Sequence, residues 1–384
     1  MYKRICGILL LFIFLLTGCN SSPGGGKRPT EGESVITVCA VGDIFLTEDM
    51  LSDARQINGG YDFSSQFAQC YSAISSADIA IGNFEGNFTA SAYGNGSYPD
   101  ALAGTLAVAG FDILQTANSY SIQGGVSGLI RTKDVIENAG MKALGTYASS
   151  QEQKEERVLL VEIDDVRVAF VAFTKGFGGM ALPENAAYST NILYSDYTTN
   201  YEKIDTEGIL EVLKAANKLS PDIIIASVHW GSENVKDISR SQEQITELML
   251  ENGVDVILGS HSHLVGSVEQ RHIKLEDGSR NDTVIAYSLG DFSAAEEDEY
   301  NMSIILNLEI TRNHATGETR VTNVDYIPIA AVDLGSDEPD RYTVLNVDNA
   351  IDLYESNYYD RVSSSVYQAI LKGKEDLENA NIIQ

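Results

Sequence analysis

Positive charge is scarce in this sequence. Its 384 residues hold 26 Lys and Arg against 55 Asp and Glu, a formal net charge of −29. A surface this acidic repels phosphate backbones, which excludes a nucleic-acid-binding role. It also disfavours contact with anionic lipid except through an anchor. An anionic substrate needs a local cation such as a metal, because charges beyond about 8 Å are screened at physiological salt. Cysteine is rare too. Of the four, Cys6 and Cys19 sit near the N-terminus, which leaves Cys39 and Cys70 for the body of the chain. Two cysteines make no disulfide framework, and both read as free, buried thiols. Long apolar runs are also missing. Residues 8–16 are uninterrupted apolar, short of the roughly 20 a spanning helix needs. The apolar fraction of 43% still suffices for a full core, and the length suits one large α/β domain with an extension.

The N-terminus reads as a targeting segment. Lys3 and Arg4 precede the apolar run, which Leu16-Thr17-Gly18-Cys19 closes. The run fits the hydrophobic region of a secretory signal. The closing four residues resemble the bacterial lipobox, which implies cleavage before Cys19 and lipid attachment to it. Several acyl chains, at about 0.8 kcal/mol per buried CH₂, make a stable anchor. The expected organisation is a signal peptide at 1–18 and a lipidated flexible tether at 19–34. A main domain follows at 35–330, then an acidic extension at 331–384, packed on the domain or trailing it. The expected location is the extracellular face of the bacterial cell membrane.

What is present is a series of short apolar runs, each leading into a polar residue. Residues 254–258 read as a buried strand, ended by Gly259 and followed by Ser260-His261-Ser262-His263. That loop carries two of only five histidines. Residues 35–41 run into Gly42-Asp43, 78–81 into Gly82-Asn83-Phe84-Glu85, 111–116 into Asn118, and 222–228 into His229. In an extended segment Asn83 and Glu85 face one side and Phe84 the other. Helices are expected at 64–75, 101–109, 132–138 (capped by Thr132), 207–218, 238–251 and about 358–371, with a hairpin turning at Asp164-Asp165. This alternation predicts a layered α/β (α+β) fold.

Ligands in open α/β sheets bind beyond the carboxyl ends of strands. Each of these polar residues has an ordinary role open to it, as a turn aspartate, a capping asparagine or a hydrogen-bonded histidine. Asp43, Glu85, Asn118, His229, His261 and His263 together, at five strand ends, make the carboxylate–amide–imidazole mix that holds one or two divalent metals.

The motifs Val41-Gly42-Asp43-Ile44-Phe45-Leu46, Gly82-Asn83-Phe84-Glu85, residues 109–118, His229-Trp230-Gly231-Ser232-Glu233, Gly259-Ser260-His261-Ser262-His263 and Tyr287-Ser288-Leu289-Gly290-Asp291-Phe292 carry a resemblance. From about 36 to 329 the chain resembles the CapA family of capsule and poly-γ-glutamate synthesis proteins. The resemblance implies a calcineurin-like metallophosphoesterase fold, a four-layer β-sandwich flanked by helices. It implies a divalent metal (Mn, Zn or Fe) on Asp43, Glu85, His229, His261 and His263, with Asn83, Asn118, Tyr120 and His229 as the catalytic set. It implies poly-γ-glutamate or another anionic polymer, and capsule synthesis proteins, as partners. The chain also departs from the family pattern. Ser119 stands where the family has a second Asn, Tyr120 where it has His, Gln123 where it has Asp, and Asp291 where it usually has Asn. The changes at Ser119, Tyr120 and Gln123 favour a non-catalytic protein that binds or guides an anionic polymer or an assembly partner. The retained histidines favour a metal-dependent hydrolase.

Overall fold

The computed structural model describes residues 32–274, 280–295, 300–335, 338, 340–358 and 361–384. The expected signal peptide, Cys19 and most of the tether lie outside the described residues.

In chain order the strands are β1 (Glu33–Ile44), β2 (Ile79–Phe84), the two-residue β3 (Asn87–Phe88) and β4 (Ser97–Tyr98), β5 (Ile113–Gln115), β6 (Lys142–Leu144), β7 (Leu159–Ile163), β8 (Val166–Thr174), β9 (Ile223–His229), β10 (Val256–Ser260), β11 (Val268–Lys274), β12 (Arg280–Ala286), β13 (Asp291–Ser293), β14 (Tyr300–Asn313), β15 (Thr319–Asp333) and β16 (Tyr342–Asn346). The helices are α1 (Glu48–Asp53), α2 (Ser64–Phe67), α3 (Tyr71–Ser75), α4 (Ala101–Ala109), α5 (Gly125–Asn138), α6 (Ser150–Glu156), α7 (Thr206–Lys218), α8 (Arg240–Glu251), α9 (Val347–Glu355) and α10 (Ser364–Ala380).

Two large sheets result. One runs β16-β15-β14-β1-β2-β5-β6, with β13 also paired to β1, and the other runs β11-β12-β10-β9-β8-β7. Strand β8 shows why they stack. Its residues are apolar on both faces, as a strand covered on both sides requires. Val166, Val168, Phe170 and Ala172 point between the sheets, against Val38, Ile81 and Leu306 of the other sheet. Ala169, Val171 and Phe173 point outward, against Ile209 and Leu213 of α7 and Met249 of α8. The first sheet is covered on its outer face by Leu102 and Leu106 of α4, which meet Val41 and Leu114. The order is helix, sheet, sheet, helix, the four layers that the resemblance implies. Each fully buried Val, Leu, Ile or Phe contributes about 1.5–3 kcal/mol, in the layer between the sheets and in the two outer layers alike.

Several local expectations change. Residues 64–75 form two short helices, α2 and α3, because Gln66 Nε2 turns inward to donate to the Met50 carbonyl at 2.8 Å and Phe67 stacks on Phe292. Thr132 is not a cap. It lies inside α5, and its hydroxyl accepts from the Phe88 amide at 3.0 Å. The C-terminal helix runs Ser364–Ala380, later than expected. Residues 330 and 331 lie inside β15, β16 pairs with that strand, and the Val268 amide donates to the Ile382 carbonyl at 2.6 Å. Cys39 and Cys70 are both free and buried. Among the described residues no helix is long and apolar enough to cross a membrane.

Candidate metal centre

The parallel strands β1 and β2 of one sheet, and β9 and β10 of the other, end at a shared edge. Asp43 was expected just past a strand end. It is instead paired within β1, opposite Asn83 of β2 and Asp291 of β13. Gly42 permits this. A Cβ there would lie 1.8 Å from the Gly290 carbonyl oxygen, the same oxygen that accepts from the Asp43 amide at 3.0 Å. On the second sheet His229 is the last residue of β9, opposite Ser260 of β10. The loop after β10 holds His261 at φ 97° and His263 at φ 62°. Positive φ is costly for residues with a side chain, and such strain collects at functional sites. Here it accompanies the placement of two successive imidazoles beside the carboxylates of the other sheet.

Two ligand triads form. Potential ligand atoms of Glu85, His229 and His261 lie within 4.8 Å of one another, and so do those of Asp43, His263 and Asp291. His229 Nε2 is 3.4 Å from Glu85 Oε1. His263 Nδ1 is 2.8 Å from Asp291 Oδ1 and 3.9 Å from Asp43 Oδ2. An amide relay links the triads. Asn118 Nδ2 donates to Asn83 Oδ1 at 3.1 Å and to the Phe84 carbonyl at 2.6 Å. Asn83 Nδ2 donates to Asp43 Oδ1 at 2.5 Å and lies 3.3 Å from His229 Nδ1. Phe84 itself faces away into the core, as alternation requires. Ser260 Oγ holds His229 Nδ1 at 3.1 Å, the kind of outer contact that fixes a ligating imidazole.

Charge is costly here without a counter-ion. Burial, then the neighbouring Asp291 carboxylate, pushes Asp43 up to about 7. Burial, then Asp43, raises Glu85 well above the ordinary carboxylate range, and burial raises Asp291. Burial, then His261, depresses His229. Burial, then Lys175, takes His261 down to about 3. Burial works against a charge on His263, yet the hydrogen bond to Asp291 and the surrounding carboxylates lift it to about 10.

The residues fit a divalent metal. Glu85 Oε2 and His261 Nδ1 are buried with no hydrogen-bond partner. Buried polar atoms are nearly always paired, and these two belong to one triad of ligand-type groups. Carboxylate oxygens mixed with imidazole nitrogens suit Zn, Mn or Fe.

The expected residues Asp43, Asn83, Glu85, Asn118, His229, His261 and His263 converge. Tyr120 lies beside the two triads and not within them. Its amide donates to Asn118 Oδ1 at 3.1 Å and its ring packs 5.8 Å from Phe45. It lines a cleft of about 620 Å³ with Ser119, Lys175, Tyr201, Glu233 and His261. Gln123 donates to the Asn95 carbonyl at 2.8 Å and so ties the 86–100 loop to one wall. Two residues of the site were not assigned a site role from sequence. Asp291 follows a glycine after an apolar run, the signal that marks Asp43. Lys175 follows the apolar β8, but Thr-Lys-Gly is too common to stand out.

The family described as bacterial capsule synthesis protein PGA_cap matches residues 37–296. PGA biosynthesis protein CapA of Bacillus subtilis (strain 168) is 25% identical over 325 residues, 83% of this chain and 78% of that protein. Capsule biosynthesis protein CapA of Bacillus anthracis is 23% identical over 271 residues, 67% of this chain and 59% of that protein, so the chain spans less than two thirds of this second relative. Among solved structures, a phosphatase from Mycoplasma pneumoniae is 14% identical with a TM-score of 0.44, covering 77% of this chain and 94% of that one. The calcineurin-like phosphoesterase YfkN from Bacillus subtilis is 12% identical with a TM-score of 0.39, covering 77% and 90%. The family match takes in both sheets' ligand-bearing strands, β1, β2, β9, β10 and β13, and the chain belongs to the bacterial capsule synthesis protein PGA_cap family.

Proposed function

We propose that this chain is a membrane-anchored extracellular protein of capsule or poly-γ-glutamate synthesis or export, with a divalent-metal-dependent hydrolase site. The carrying observation is the pair of ligand triads at one sheet edge, with Glu85 Oε2 and His261 Nδ1 buried and unpaired. Lipid on Cys19 would tether the domain to the membrane, and the names of the two CapA relatives support the capsule role.

Asp43, Glu85, His229, His261, His263 and Asp291 would hold Mn, Zn or Fe. A divalent metal supplies Lewis-acid polarisation of a carbonyl or phosphoryl oxygen and a more acidic water. The chain's own residues do the rest. Asn118 and Asn83 fix the Asp43 carboxylate, and Ser260 orients His229. Tyr120 keeps its proton, because burial and then Glu85 raise its pKa further. It can donate a hydrogen bond at the cleft but cannot cycle a proton near pH 7 as histidine does.

The second reading, a metal-binding but non-catalytic polymer guide, rests on that tyrosine and on Ser119. The two readings separate on one experiment. Full chain is incubated with poly-γ-glutamate and added Mn, Zn or Fe, and polymer length is followed with and without chelator. Chelator-sensitive shortening supports the hydrolase. Bound metal with intact polymer overturns it in favour of the guide. The anchor is tested by Cys19→Ala, which should release the protein into the medium.

A further inference from the structure

Lys175 leaves β8 beside the ligand-bearing end of β9. Thr174 pairs with His229, and the Lys175 amide donates to the His229 carbonyl at 2.8 Å. The backbone therefore fixes where the side chain starts. Its ammonium donates to the Gly231 carbonyl at 2.6 Å, stands 3.3 Å from His261 Nε2 and lies 4.6 Å from the centre of the Tyr201 ring.

What it lacks is an anion. Among the described residues no carboxylate is within ion-pair distance of Lys175, in a chain with 55 Asp and Glu. Lys133, also largely buried, reaches Glu137, Glu152 and Glu156. Glu233 lines the same cleft and favours the Lys175 charge through space, but it is exposed and makes no ion pair with it. An ammonium that gives up water without gaining a paired counter-charge is costly. A Lys ammonium has three donors, and the Gly231 carbonyl takes one of them, which leaves room for another acceptor. The open space next to it is the cleft of about 620 Å³ that Ser119, Tyr120 and His261 also line.

We infer that Lys175 is the anion-binding residue of this centre, its ammonium fixing a carboxylate or phosphate group of the substrate beside the Glu85–His229–His261 triad. The inference rests on the reading of that triad as the reaction site. It also answers the charge problem of the whole chain. A substrate anion approaching a surface of net charge −29 needs a cation within about 8 Å, and Lys175 is a point charge at the place of use. Lysine suits a single monodentate oxygen, where arginine would favour a planar two-point contact.

The test is calorimetric titration of the metal-supplemented full chain with tetraglutamate, tetraglutamine and inorganic phosphate, with metal content measured in parallel. Parent protein is compared with Lys175→Met, which keeps the apolar stem, and Lys175→Arg, which keeps the charge. The expected result is at least about tenfold weaker anion binding in Lys175→Met, or about 1.4 kcal/mol. Tetraglutamine binding and metal content should not change, and Lys175→Arg should recover most of the loss. Lys175-dependent binding of tetraglutamate alone identifies a carboxylate, and of phosphate alone a phosphate ester. Equal anion binding in parent and Lys175→Met overturns the inference. So does loss of metal in Lys175→Met, which would make the lysine a support of the centre, and so does absence of anion binding by the parent. If the parent holds no metal yet binds anions through Lys175, the metal centre fails while the inference stands.

Discussion

Ser119 Oγ lies 3.0 Å from His229 Nε2, the imidazole nitrogen that also stands 3.4 Å from Glu85 Oε1. A hydroxyl thus contacts the nitrogen that a metal would need, at the position where the family carries an amide. Ser119→Asn replaces a weak ligand with a carbonyl oxygen. Changes close to a metal typically alter affinity 10–100-fold, and the expected result is about tenfold tighter metal binding in competition titration with a chelator. Unchanged or weaker binding would show that Ser119 is not beside the metal.

Asn118 makes both of its amide donations inside the protein, to Asn83 and to the Phe84 carbonyl. Asn118→Ala removes the partner of the Asn83 amide oxygen and of the Tyr120 amide, whereas the Phe84 carbonyl keeps the Gly86 amide. Each lost partner costs about 1–3 kcal/mol, and the midpoint of urea unfolding should fall accordingly. Metal affinity should fall with it, since Asn83 would lose the contact that aims it at Asp43. Lost stability with full metal affinity would mean that Asn118 is structural only.

Gly42 sits where β1 meets the Gly290 carbonyl, with room for hydrogen alone. Gly42→Ala must force the two backbones apart, and overpacking of this kind typically costs about 1–3 kcal/mol or more. It also moves Asp43 away from Asp291. The expected outcome is a less stable protein that no longer retains metal. A stable, metal-retaining variant would contradict the tight crossing.

Asp43 makes metal-free stability depend on pH. Its folded pKa, about 7, is above the ordinary 3.8, so the native state holds the proton more tightly than the unfolded chain does. That contribution is fully present below about pH 3.8 and is lost as pH rises through about 7. The gap amounts to at most about 4 kcal/mol. Asp43→Asn cannot ionise, so metal-free variant should gain on metal-free parent between pH 4 and pH 8 in denaturant unfolding. A constant difference across that window would refute the assignment. Metal takes the proton's place, so metal affinity should rise over the same window.

Much of this site could be read in the sequence because it lies where periodic strands stop. Alternation around Phe84 put Asn83 and Glu85 on one side, and the loop after β10 declared its two histidines. What was not legible depends on contacts between distant segments. Asp291 gains its role only when β13 pairs with β1, and Lys175 only when β8 pairs with β9. Thr132 looked like a cap because its partner, the Phe88 amide, is 44 residues away. The break between α2 and α3 comes from Gln66 and Phe67 turning to tertiary partners, which local propensity does not record.

Elemental analysis of the purified full chain, beside a His261→Ala/His263→Ala variant, bears most directly on the metal centre. These two substitutions remove one imidazole from each triad. The expected result is about one or two equivalents of Mn, Zn or Fe in the parent, lost in the variant. No metal in either protein, even after incubation with added cation, would contradict the centre and leave the two triads as a buried hydrogen-bond network.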